Sequence, residues 1–112
     1  MIMSLKGTFT AMITPFDANG EVDYTALEKT ITHQISGGVE GLVPCGTTGE
    51  SPTLSHAEHQ KVIAKTVELA KQQNEKCIVI AGTGSNSTKE AIELTKKAGE
   101  DGADYALVSG KL

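Results

Sequence analysis

The chain contains no tryptophan, and two tyrosines and two phenylalanines supply all of its aromatic side chains. There is little material for base-stacking platforms, and a net charge of -4 with a pI near 5.3 offers no basic stripe for a phosphate backbone. Nucleic acid is therefore not an expected partner. Long apolar runs are missing as well. No stretch approaches the ~20 residues that a spanning helix requires, and Met1 to Lys6 does not lead into a signal-like apolar region. The expectation is a cytoplasmic protein with no membrane partner. Cysteine is scarce too: Cys45 and Cys77 lack C-x-x-C spacing and the context of a secreted scaffold, so both are read as reduced. Cys45, just ahead of a Gly-Thr-rich loop, is open to two readings, a reactive thiol or a small buried packing residue, and the second is preferred.

What is present fits one soluble globular unit: 112 residues, 38% hydrophobic and 21% charged. Extended apolar runs alternate with helical patterns. The first run, Gly7 to Thr14, is stopped by Pro15 and the turn-rich stretch Asp17 to Gly20. Asp23 can cap a helix with Leu27, Ile31 and Ile35 on one face, ended by Gly37-Gly38. A second strand follows at Gly41 to Pro44. Ser55 with Glu58 forms a capping-box pattern ahead of a buried stripe at Val62, Ile63, Val67 and Ala70. The third strand is Cys77 to Ala81, and a second Gly-rich loop at Gly82 to Ser87 precedes another capping-box pattern, Ser87 with Glu90. That opens a helix with Ala91, Ile92, Thr95 and Ala98 on its apolar side, and the fourth strand is Asp104 to Ser109. The order βαβαβαβ with short connections predicts an α/β fold with a parallel sheet and right-handed crossovers. Periodicity alone does not separate a barrel from a doubly wound sheet, although Pro-Phe-Asp after the first strand argues against a dinucleotide site, which would need G-x-G-x-x-G there.

The loop G-T-T-G-E-S at Gly46 to Ser51 joins the second strand to the second helix. In an alternating β/α chain it lies at the carboxyl ends of the strands, where ligands bind. Gly46 and Gly49 let the backbone approach closely, Thr47 and Thr48 each add a hydroxyl and an N–H, and Glu50 adds a charge. The chemistry suits a small carboxylate or phosphate. A tight turn whose Thr and Glu only satisfy local backbone groups remains open on spacing alone. His56 and His59, three apart near a helix start, are likewise open: a metal pair, two solvated histidines, or part of an effector pocket.

Four segments, T-A-M-I-T-P-F at Thr10 to Phe16, V-D at Val22-Asp23, G-T-T-G-E-S at Gly46 to Ser51 and A-G-T-G-S-N-S-T at Ala81 to Thr88, together resemble the dihydrodipicolinate synthase family in order and spacing. N-acetylneuraminate lyase shares the Gly-Thr/Ser-Thr-Gly-Glu loop, but the last segment looks more like the synthase. The resemblance implies a (β/α)8 TIM barrel in which a lysine on a later strand forms a Schiff base with pyruvate, which then condenses with aspartate semialdehyde on the diaminopimelate route to lysine. No cofactor and no metal are implied. Within that resemblance Thr47 matches the hydroxyl that relays protons between two tyrosines. Thr48 matches the residue that holds the pyruvate carboxylate, and Gly46 is a second expected substrate-binding position. Ser51, His56, His59, Asn86 and Glu90 fall where lysine-inhibited members bind feedback lysine, with Glu90 suited to its ammonium group; Pro52 stands where a small residue is more usual.

A complete barrel takes ~250 residues, so residues 1–112 read as a truncated N-terminal half of such a domain. The Schiff-base lysine and both relay tyrosines would lie in the absent part, and the family's Thr-Pro-Tyr-Tyr after the fourth strand is replaced by Ser109-Gly110-Lys111-Leu112. The chain alone is expected to be inactive. Lys61, Lys65, Lys71, Lys89, Lys96 and Lys97 are expected to decorate the outer helical face. Four parallel strands cannot close, so open edges and self-association, a homo-oligomer, are expected. The competing classes are a stand-alone binder of small acids and an assembly module for a separate C-terminal half.

Overall fold

The computed structural model describes residues 7–46, 54–85 and 87–108. Its elements run β1 (Phe9–Ala11), α1 (Tyr24–Ser36), β2 (Gly41–Val43), α2 (His56–Gln73), β3 (Ile78–Gly82), α3 (Thr88–Glu100) and β4 (Tyr105–Leu107). The strands form one sheet in the order β1-β2-β3-β4, every pair parallel, with Thr10 opposite Leu42, Leu42 opposite Val79 and Ile80 opposite Tyr105. The strands are shorter than the apolar runs in the sequence suggest, because their flanking residues leave the ladder to turn into loops. No helix among the described residues is long and apolar enough to cross a membrane.

Local chemistry starts and stops each helix. Asp23 Oδ1 accepts the Ala26 N–H at 3.0 Å to open α1, and Gly38 at φ +89 carries the chain out of it in a conformation that a Cβ would strain. At α2 the Ser55 hydroxyl accepts the Glu58 N–H at 3.1 Å while the Glu58 carboxylate accepts the Ser55 N–H at 2.8 Å, a complete capping box. The third helix departs from expectation. Ser87 Oγ accepts the Glu90 N–H at 3.3 Å, but the Ser87 N–H donates to Ser85 Oγ at 3.2 Å, which leaves the Glu90 carboxylate available elsewhere.

The helices cover one face of the sheet. Leu27 and Ile31 of α1 and Val62, Ile63, Val67 and Ala70 of α2 are buried against Leu42, Val79 and Ala81. Burying each large aliphatic side chain contributes ~1.5–3 kcal/mol, so this layer dominates stability. Their sequence neighbours Val43 and Ile80 point to the opposite face and stay half-buried, as strand alternation requires. On α3 the buried residues are Leu94 and Ala98, whereas Ile92, expected on the apolar side, is 51% exposed. The reason is geometric: among the described residues the sheet beneath α3 ends at β4, and no element packs on the flank of α3 away from α2.

At the amino end of the sheet, Lys71 does not decorate the outer face. Its ammonium group donates to the Cys77 carbonyl at 2.6 Å and to Asp104 Oδ2 at 2.8 Å, and the same carboxylate oxygen accepts the Val79 N–H at 2.9 Å. This bracket ties the end of α2 to the entries of β3 and β4.

Candidate functional site

The site is built where β2 and β3 end. Pro44, Cys45 and Gly46 turn off β2, with Cys45 in the left-handed region at φ 59, an unusual state for a side chain bearing a Cβ. The turn lies directly against Gly82. The Gly82 N–H donates to the Pro44 carbonyl at 2.9 Å, and a Cβ on Gly82 would collide with the Cys45 carbonyl and come within 2.8 Å of Gly46 N. Only glycine permits this approach. It sets the position of Gly46, the last described residue before the loop.

Thr47, Thr48 and Ser51 lie outside the described residues, as do Pro52 and Asn86. Gly46, His56, His59 and Glu90 are described. The first turn of α2 carries His56 and His59 in two different environments. His56 is partly exposed, with Nδ1 3.9 Å from Glu90 Oε1 and Nε2 3.9 Å from Glu93 Oε2. His59 is 4% exposed, and its Nε2 lies 2.5 Å from the Gly82 carbonyl oxygen. The reading of two solvated histidines therefore fails for His59, because the close approach at Gly82 presents a bare carbonyl to the underside of α2. Burial pulls the His59 pKa below its ordinary value, opposed by the Gly82 carbonyl and the nearby Glu90 charge. A neutral ring must donate from Nε2 to that carbonyl, leaving Nδ1 as an acceptor. The metal reading gains nothing: no group of three or more His, Cys, Asp or Glu suited to hold a metal occurs among the described residues.

The structure thus brings His56, His59 and Glu90 together beside the carboxyl ends of β2 and β3. Glu93 joins them, and the sequence signal for it was present, since it lies three residues after Glu90 on the same helix face. Thr83 was also not singled out. It is fully buried directly after β3, its hydroxyl 2.8 Å from that of Thr95 and its N–H donating to the Leu107 carbonyl at 3.1 Å. These bonds fix the start of the second Gly-rich loop against both α3 and β4.

Cys45 is no nucleophile in this setting. It is 2% exposed, its thiol faces the His59 carbonyl at 3.7 Å, and burial pushes its pKa up to about 12. The packing reading holds.

The family model described as the dihydrodipicolinate synthetase family matches residues 4–109. The chain belongs to this family. A 4-hydroxy-tetrahydrodipicolinate synthase from Pelagibacter ubique is 63% identical over 103 residues, which are 92% of this chain and 34% of the relative; that from Magnetococcus marinus is 59% identical over the same span. The dihydrodipicolinate synthase of Aquifex aeolicus superimposes with a TM-score of 0.86 at 50% identity, over 93% of this chain and 34% of that one. The Acinetobacter baumannii family member, solved with pyruvate bound, superimposes with a TM-score of 0.87 at 46% identity, over 94% of this chain and 35% of that one. The chain therefore spans about a third of the length of the family members it matches. Its βαβαβαβ architecture is part of the family's (β/α)8 TIM barrel, and the α/β expectation is met.

Proposed function

We propose that the chain is the N-terminal βαβαβαβ portion of a 4-hydroxy-tetrahydrodipicolinate synthase and contributes one wall of its pyruvate site. The observation that carries this reading is the 63% identity to the Pelagibacter ubique synthase over 103 residues. Gly46 follows β2 at the carboxyl end of the strand, the end at which barrel enzymes place their chemistry. There Thr48 would hold the pyruvate carboxylate through its hydroxyl and N–H, and Thr47 would pass a proton between tyrosine hydroxyls. The Schiff-base lysine and those tyrosines belong to later strands of the family barrel. Condensation with aspartate semialdehyde thus requires more than these 112 residues. His56, His59 and Glu90, with Ser51 and Asn86, would form part of a site for feedback lysine, in which Glu90 meets an ammonium group. The proposed setting is a cytoplasmic homo-oligomer.

The test is borohydride trapping of labelled pyruvate. The 112-residue chain alone should retain no label, and the same chain produced together with the rest of the Pelagibacter ubique relative should retain about one label per complex. Thr48→Val should raise the pyruvate concentration needed for trapping. Trapping on the isolated chain, or none on a formed complex, would sink the proposal.

A further inference from the structure

His59 ties α2 to the ends of β2 and β3 at once. Its buried side chain brings Nε2 to 2.5 Å from the Gly82 carbonyl oxygen, the last residue of β3. Its backbone carbonyl accepts from the Cys45 thiol at 3.7 Å, in the turn that leaves β2. Gly82 closes the circuit: its N–H donates to the Pro44 carbonyl at 2.9 Å, and it leaves no room for a Cβ between itself and the Cys45 carbonyl. Pro44, Cys45, His59 and Gly82 are thus joined across three elements. The junction coincides with an unusual backbone. Among the described residues Cys45 is the one non-glycine at positive φ, 59°, a state that persists where its surroundings over-determine it and that gathers at functional sites. Packing alone would be served better by an aliphatic side chain, so what the buried imidazole adds is a directed N–H.

We infer that His59 is a positioning residue for pyruvate binding: by holding Gly82 and Cys45 together it maintains the left-handed turn from which Gly46, and next in sequence Thr47 and Thr48, depart. With Nε2 committed to Gly82, only Nδ1 is left to accept from any ligand. The side chain therefore acts through the backbone it fixes. Three replacements separate the N–H from the bulk. Glutamine brings an amide N–H close to the place of Nε2, leucine fills the space without a donor, and asparagine stops short of Gly82. The inference rests on the proposed function for the role of Thr48, and its two-armed test separates the two.

The first arm uses the 112-residue chain and a thiol reagent at pH 8, with the labelled peptides resolved by mass spectrometry. Cys45 lies in the clamp, and Cys77, also buried, precedes β3 at the opposite end of the sheet. General loosening speeds both alike, whereas local opening of the β2 turn speeds Cys45 alone. His59→Leu should raise the ratio of Cys45 to Cys77 rates roughly tenfold over the wild type, and His59→Gln should restore it to within about threefold. The second arm is borohydride trapping on the complex described above. His59→Leu should raise the pyruvate concentration for half-maximal trapping roughly tenfold, with His59→Gln recovering most of the loss. Asp104→Ala, which weakens the far end of the sheet, should change it less than about twofold. If leucine prevents folding, His59→Asn takes its place in both arms. The inference is overturned if both cysteines accelerate alike, or if a folded variant without the N–H traps at the wild-type concentration. A wild-type complex that traps nothing refutes the proposed function and with it the pyruvate half of the inference, while selective labelling of Cys45 still upholds the clamp.

Discussion

Two glycines of this chain should respond to the same substitution with opposite signs. Gly82→Ala places a Cβ against the Cys45 carbonyl and 2.8 Å from Gly46 N, both backbone atoms that cannot rotate away. Accommodating it means parting the end of β2 from the end of β3. Overpacking of this kind costs ~1–3 kcal/mol. The shift also strains two hydrogen bonds, Gly82 N to the Pro44 carbonyl at 2.9 Å and His59 Nε2 to the Gly82 carbonyl at 2.5 Å, each worth roughly 1 kcal/mol. Against this stands a gain of ~0.4–1 kcal/mol from stiffening the unfolded chain. The net expectation is a loss of about 2–4 kcal/mol. Gly99→Ala, inside α3 with nothing near its Cβ, should instead add ~0.5–1 kcal/mol. Urea unfolding of both variants, followed by far-UV circular dichroism, reads the difference directly. If Gly82→Ala fell within ~0.5 kcal/mol of the parent, the packing of the β2 turn on β3 would be wrong.

Other consequences are equally open to measurement. Asp104→Ala removes the acceptor shared by Lys71 Nζ and the Val79 N–H; with both charged side chains about a third exposed the ion pair adds little, and a loss of ~2 kcal/mol in urea is expected, whereas a change below ~0.5 kcal/mol would dismiss the bracket. His59, with its folded pKa lowered from 6.5, contributes stability that is present above that value and lost as the pH falls below it toward the folded pKa; His59→Gln should flatten stability across that window, and an unchanged slope would refute the buried neutral ring. Cys45, protonated up to about pH 12, and Cys77, also buried with a raised pKa, should react with a thiol reagent at pH 8 only as fast as the chain unfolds. Prompt labelling of the native chain would contradict both placements. Asp23→Ala should cost ~1 kcal/mol through the lost cap of α1, with Asp23→Asn nearly neutral, as judged by thermal melting.

Features set by neighbours in sequence were legible from the residues alone. Asp23, the Ser55 and Glu58 pair, and the stripe Val62, Ile63, Val67 and Ala70 behave as the periodicity predicts. Features set by what lies across the fold were not. His56 and His59 share a helix turn, and only the carbonyl of Gly82, 23 residues on, makes one buried and leaves the other facing Glu90 and Glu93. Ile92 has the right spacing for a buried stripe but no covering element among the described residues, and Leu94 takes the core position instead. Lys71 reads as a surface cation, yet a carbonyl and a carboxylate just ahead of β3 and β4 draw it to the amino end of the sheet. For the candidate site, Gly46, His56, His59 and Glu90 are placed, while Thr47, Thr48, Ser51 and Asn86 lie outside the described residues.

The strand order β1-β2-β3-β4 bears on how the molecule comes into being. Among the described residues each strand pairs with the one made just before or just after it, and no ladder there joins distant segments of chain. Loop-closure cost stays low at every step, and the sheet can be laid down in the sequence in which a ribosome delivers it. In a closed barrel one seam must join the first strand to the last, which is the slow, long-range event of folding. Among the described residues there is no such seam, so every strand finds its partner in a neighbour along the sequence.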